Sequence, residues 1–304
     1  MKVLIDLDRA LADGKISAEE YARLRTLGSG QTSELALNIL IGFGVIAVAG
    51  SFLALFPSTG TVAGTGSVLA LAGFGLLVSE RERWRILGNI LLVVGALLLA
   101  AGLVLLDEGS TRAFLAASVL FAGAAVLARN GLLAALAVLA VSGALGGRTG
   151  YMHATYMIGL EEPTLSIVVF TALSVALVAV ADHVPGALSR VALVAARTSA
   201  LLVNLGFWIG SLWGDTIGTT HVSRDIFTIL WALALAGAAV WAWRTNRRWP
   251  LITATVFGAI HFYTQWFERL GADPAGVLVA GLIAIAVGFA LKSVLAGMPQ
   301  RSPA

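Results

Sequence analysis

Apolar residues in this chain run together instead of alternating with polar ones. From Leu35 onward, hydrophobic stretches recur between short turns that hold most of the charges. A helix needs roughly 17 to 25 residues to cross a bilayer, and the pattern predicts ten such spans. They are 35–56, 61–79, 86–106, 113–128, 131–147, 164–181, 191–213, 226–243, 250–267 and 275–291. Only Arg129 and Asn130 separate the fourth from the fifth. Residues 113–147 are too many for one straight crossing, so a tight hairpin is expected there.

Residues 1–33 follow a different pattern. Val3, Ile5, Leu7 and Leu11 are mixed with Asp6, Asp8, Arg9 and Asp13, and Gly14 offers a helix stop. Ser17 and Glu20 then have the spacing of a capping box, which opens a second helix carrying Tyr21 and Leu24. The expectation is a short cytoplasmic helical hairpin over 1–33, joined through a flexible Gly28–Thr32 link to a membrane domain over 34–296, with a tail at 297–304. Such a headpiece lies on the membrane surface or docks a cytoplasmic protein partner.

Composition fixes the class. The 304 residues are 58% hydrophobic and 12% charged, about half the charged content of a soluble domain, so a single soluble core is excluded. The fold class expected is all-α, a polytopic helical bundle whose first partner is the lipid bilayer. The net charge of +3 is spread over short turns, which fits membrane orientation and not nucleic acid. No basic region precedes an apolar run and a small-residue cleavage site at the N-terminus, so the first span is expected to act as its own signal.

The charges also predict an orientation. With the N-terminus inside, fifteen basic residues fall on the cytoplasmic side, while only Arg112, Arg148, Arg224 and Arg269 fall outside. This favours an even number of crossings with both termini cytoplasmic. Trp84, Trp241, Trp243 and Trp249 would mark the inner boundary, and Trp213 and Trp266 the outer one.

Two spans carry polar rows. In the ninth, His261, Gln265 and Glu268 share a helical face, with Thr264 beside them. In the seventh, Arg197, Asn204, Trp208, Ser211 and Asp215 follow one face, and Gly206, Gly210 and Gly214 form a small-residue ridge on another. Ionisable groups in lipid cost at least a few kcal/mol (~2.5 to 3.5 on insertion scales), so both rows should face protein or water. Each residue has two readings. Arg197 snorkels or forms an ion pair, or it lines a substrate path. His261 is a neutral histidine bonded to a neighbour, or it relays a proton. Glu268 is expected to pair with Arg269 near the outer surface, and Asn38 and Asn89 to bond between helices.

Matches such as Thr32, Ser33, Leu35 and Asn38 with Thr198, Ser199, Leu201 and Asn204 suggest a parallel repeat of 32–129 in 198–292, which would put a site between two halves. Catalytic motifs are missing. There is no phosphate-binding glycine loop with its lysine, no HExxH and no GxSxG, and the four histidines are scattered. There is no cysteine either, so thiolate chemistry is excluded. No enzyme, metal or cofactor is expected. Tyr151, His153, Tyr156, Glu161 and Glu162 read as an ordinary solvated outer loop.

LADGKISAEEYARLRTLG at 11–28 and HFYTQWFERLGADPAGVLVAGLIAIAVGFAL at 261–291 resemble the two ends of bacterial membrane proteins grouped as domain of unknown function 2157. Tyr263, Thr264, Trp266 and Phe267 carry the second signature. The resemblance implies a bacterial inner-membrane location and supplies no activity. Two functions therefore stand side by side. One is a transporter-like protein for a small solute or ion, using Arg197, Asn204, Ser211, His261, Gln265 and Glu268 along a path between spans seven and nine. The other is a membrane scaffold or sensor that binds a partner through residues 1–33.

Overall fold

The computed structural model describes residue 11 and residues 13–79, 84–152, 155–271 and 273–296. Over these residues the chain is helical, with two short β-hairpins set into its turns. The helices are α1 (Ala18–Leu55), α2 (Thr59–Val78), α3 (Arg85–Leu106), α4 (Thr111–Ala128), α5 (Gly131–Ala144), α6 (Pro163–His183), α7 (Gly186–Trp213), α8 (Arg224–Arg244), α9 (Arg248–Leu270) and α10 (Pro274–Ala296). Strands β1 (Gly147–Met152) and β2 (Thr155–Leu160) pair between α5 and α6, and β3 (Asp215–Ile217) and β4 (Thr220–Val222) between α7 and α8.

Every apolar run is a helix. All but the first begin within five residues of the expected position. Six helices, α2, α3, α4, α6, α7 and α8, are long and apolar enough to cross a membrane. Their surfaces agree: Leu71, Val119 and Leu233 are 71%, 74% and 63% exposed while Trp231 is fully buried, an arrangement that hydrocarbon tolerates and water does not. The chain is a multi-pass membrane protein built from helices.

Two expectations change, and others lie outside the described residues. The first arm of the N-terminal hairpin, residues 1–10, lies outside the described residues, as do Arg81, Arg83, His153 and the 297–304 tail. The second arm starts where predicted. Ser17 Oγ accepts from the Glu20 amide at 3.1 Å and Glu20 Oε2 from the Ser17 amide at 2.9 Å. The helix then continues through Gly28–Thr32 without a break and merges with the first span. Each glycine costs a helix only about 1 kcal/mol, and strong helix formers on both sides carry it across. Lastly, the supposed outer loop is a six-residue-per-strand antiparallel hairpin, and α5 stops at Ala144 to enter it.

The described residues fall into two compact units that divide between Ala140 and Val141. In the first, α2 and α3 meet backbone to backbone. A Cβ at Gly66 would stand 2.7 Å from the Leu99 nitrogen, and Gly73 and Gly95 press as closely on Leu92 and Ala70. The predicted tight turn between α4 and α5 rests on two residues. Arg129 ends α4 in the left-handed region, and Asn130 Oδ1 caps α5 by accepting from Leu132 and Leu133. Asn130 Nδ2 also donates to Asn89 Oδ1 at 2.9 Å, the interhelical bond expected of Asn89.

The second unit packs α7 against α6 and α8. Its core is Phe207, Phe227, Trp231 and Phe257. The small-residue ridge on α7 divides between neighbours: Gly206 meets Ile167 of α6, and Gly210 meets the Phe227 ring of α8.

Candidate functional site

In the second unit α7 and α9 run in the same direction and α8 runs between them in the opposite one. This topology stacks the polar groups in levels. Nearest the end carrying the β3–β4 hairpin, Arg269 donates to Asp225 at 2.6 Å and, through Nε, to Gln265 Oε1 at 3.3 Å. The single Thr228 hydroxyl hydrogen is shared between Arg224 O at 3.0 Å and the same Gln265 oxygen at 3.2 Å. One turn further in, Trp208 Nε1 donates to Thr264 Oγ1 at 3.1 Å. Next, Trp231 Nε1 donates to Asn204 Oδ1 at 3.0 Å, and the Trp231 ring meets His261 edge to face at 4.9 Å. On α8 the positions involved are 225, 228 and 231, and on α9 they are 269, 265 and 261. Steps of three and of four keep each set on one helical face.

The residues singled out from sequence are thus partly brought together. Asn204 is buried, and its Nδ2 donates back to Ala200 O at 2.8 Å. Ser211 is buried and bonds within its own helix, to Trp208 O at 2.8 Å. Among the described residues the hydrogen bond between the two polar rows is that of Trp208 and Thr264; elsewhere α8 mediates through Trp231 and Thr228. Those two α8 residues were not anticipated. The available signal was Trp231 itself, a tryptophan away from both boundaries, in register with Thr228. Glu268 is exposed and does not pair with Arg269, whose partner is Asp225. Adjacent helical residues diverge by about 100°, so a neighbour on the facing helix is better placed.

Asp215, at the end of the α7 row, caps another helix. Its Oδ2 accepts from the Thr164 amide at 2.9 Å and its Oδ1 from Thr216 at 2.7 Å. A carboxylate at the first turn of α6 satisfies a free amide and complements the helix dipole.

Three polar atoms on α9 remain unsatisfied. His261 Nδ1, Gln265 Nε2 and Trp266 Nε1 are buried without a hydrogen-bond partner among the described residues. The Gln265 amide cannot be turned to relieve this, since its oxygen already accepts from Arg269 Nε, which only donates.

Towards the other end a cleft of about 340 Å³ opens among α6, α7, α8 and α9, lined by Ser174, Ala200, Asn204, Trp231, Trp241, Trp249, Thr253 and neighbours. Arg197 does not line the cleft but lies against Trp249, which does. This arginine is exposed, and its guanidinium lies 5.5 Å from the centre of the Trp249 ring. It shares the α7 face of Ala200 and Asn204, as expected, but reaches towards the start of α9 and away from His261. At the same end Arg247 covers the Trp241 ring at 5.6 Å and donates to both oxygens of Asp182, at 2.7 and 2.6 Å.

No protein-family model matches the chain, and comparison with curated proteins and with solved structures finds no significant match.

Proposed function

We propose that the chain is a ten-span protein of the bacterial inner membrane, with both termini cytoplasmic, that passes a small solute or ion through the α6–α9 unit. The cleft carries this reading: about 340 Å³ among four helices, with Asn204 and Trp231 at its inner part, falls within the size range of small-molecule sites. The unpartnered His261 Nδ1 and Gln265 Nε2 atoms lie further along the same helices, towards the hairpin end, and a polar solute or water passing there would satisfy them.

The ten-span count adds α1, α5, α9 and α10 to the six apolar helices. Helix α9, at 23 residues, is long enough, and its polar row faces α7 and α8. The fifteen-to-four division of basic residues supports the orientation.

A second reading, a scaffold or sensor with a partner at residues 1–33, draws on the use of Asn204, Trp208, Thr228 and Gln265 as bonds between helices. Cysteine labelling separates the two, because the native chain has no cysteine. On the solute reading, Ala200→Cys and Thr253→Cys react with a membrane-impermeant maleimide added to the cytoplasmic face, and Leu233→Cys on the exposed side of α8 does not. If neither cleft position is labelled, transport is ruled out and the helix-locking role stands.

A further inference from the structure

Two arginine–tryptophan pairs stand at the same end of the α6–α9 cleft, and they differ in one respect. Arg247, over Trp241, gives its donors to Asp182. Arg197, over Trp249, makes no hydrogen bond or ion pair among the described residues. The Arg197 guanidinium carbon lies 5.5 Å from the centre of the Trp249 ring, and a cation–π contact uses none of the N–H donors, which stay available for a two-pronged bond to an oxyanion. The helix order puts Arg190, Arg197 and Arg244 at this same end of the unit, and Asp182, the acid there among the described residues, is already engaged by Arg247. Local charge therefore favours an anion.

The cleft beside Arg197 offers a different surface. Val175, Val203, Leu235 and Ala254 line it, and most of its polar groups are spent inside the protein. Ser174 donates to Ala196 O, Thr253 to Trp249 O, and Asn204 bonds to Ala200 and Trp231. What remains is an apolar groove with the Arg197 cation set against Trp249 of its lining. We infer that it binds an amphipathic anion, an acyl chain ending in a carboxylate or phosphate, with the charged group on Arg197 and the chain along Trp249 and Leu235. This rests on the reading of the cleft as a solute site and specifies its ligand.

Bromooctanoate, whose bromine quenches tryptophan on contact, tests the inference on the full-length protein in phosphatidylcholine nanodiscs. Saturable quenching is expected. Arg197→Gln should weaken apparent affinity about tenfold or more, the loss expected for a charge-assisted bond. Arg197→Lys, which keeps charge but not the planar fork, should fall between and serves as the folding control. Neutral bromooctanol should quench parent and variant alike. Displacement by phosphatidylglycerol in the discs identifies a lipid as the source of the anion, and its absence a soluble acyl anion; each is consistent with the same chemistry. Unsaturable quenching, an Arg197→Gln affinity within twofold of the parent, or displacement by acetate as effective as by octanoate overturns the inference. If Ala200→Cys and Thr253→Cys are labelled but bromooctanoate fails, only the ligand class is wrong. If labelling also fails, the solute site itself falls.

Discussion

The indole nitrogen of Trp231 donates to Asn204 Oδ1 at 3.0 Å, at a level of the α6–α9 unit where the tryptophan is fully buried. Hydrogen bonds between membrane helices contribute little net stability, about 0.6 kcal/mol on average, but an orphaned buried donor costs about 1 to 3 kcal/mol. Asn204→Leu should therefore destabilise by about 1 to 3 kcal/mol. Asn204→Leu combined with Trp231→Phe should recover part of that loss, since no donor is then left alone. A double-mutant cycle of unfolding in detergent measures the coupling; strict additivity would show that the bond holds nothing.

The α2–α3 contact predicts a contrast between glycines of one helix. Gly66 and Gly73 have no room for a methyl group, whereas Gly64 and Gly75 face open space. Gly66→Ala and Gly73→Ala should each cost about 1 to 3 kcal/mol, the usual penalty for overpacking. Gly64→Ala and Gly75→Ala should be neutral or slightly stabilising, because alanine is the better helix former. Thermal unfolding of the four variants in one detergent decides it.

Asp215 predicts an ordered series. It caps α6 from the end of α7, so Asp215→Ala removes both the acceptor and the charge, and Asp215→Asn keeps an acceptor. Losses of about 1 to 2 kcal/mol for alanine and less for asparagine are expected. Hydrogen exchange should locate the loss at the first turn of α6, at Thr164 and its neighbours. Equal losses for the two variants would mean that the charge alone matters.

The outer ion pair should matter little. Arg269 and Asp225 are 55% and 62% exposed at their side chains, and exposed pairs contribute about 0 to 1 kcal/mol. Glu268→Gln, at an exposed residue without that pairing, should leave unfolding unchanged. Asp225→Asn should produce a small loss that disappears in high salt.

Much of this fold was legible because hydrophobicity is a local signal. The length of each apolar run set the helices, Ser17 and Glu20 set the start of α1, and Arg129 with Asn130 set the α4–α5 turn. Missing were features that depend on which helix lies beside which. Thr228 and Trp231 are unremarkable in α8 until the topology puts that helix between α7 and α9. Asp182 lies in the last turn of α6 and Arg247 precedes α9, and only folding brings them together. Other signals were present but weak. Gly66 with Gly73, and Gly88, Gly95 and Gly102, repeat every seven residues, a spacing that suits close packing of two helices. Strands β3 and β4 flank Gly218, whose positive φ of 58° suits a tight hairpin turn. In a sequence with 34 glycines, neither stands out.

Topology rests on α5. Its 14 residues extend only about 21 Å at the helical rise, short of the roughly 30 Å hydrocarbon core. A crossing there needs the adjoining Leu145–Gly147 segment, flanking snorkelling residues or local thinning of the bilayer. If α5 crosses, the count is even and reporters fused to the two ends are both active in the cytoplasm. If it does not, the chain crosses nine times and the termini lie on opposite sides. The α6–α9 unit gives a second check. Asp182 bonds Arg247, and Asp225 bonds Arg269, so cysteines in the 182–186 and 244–248 turns must label from one face and cysteines at 215–225 from the other. Cytoplasmic labelling of the first pair with a cytoplasmic C-terminus and an external N-terminus would place the error in the first unit. Labelling of the first pair from outside would reverse the orientation of the α6–α9 helices.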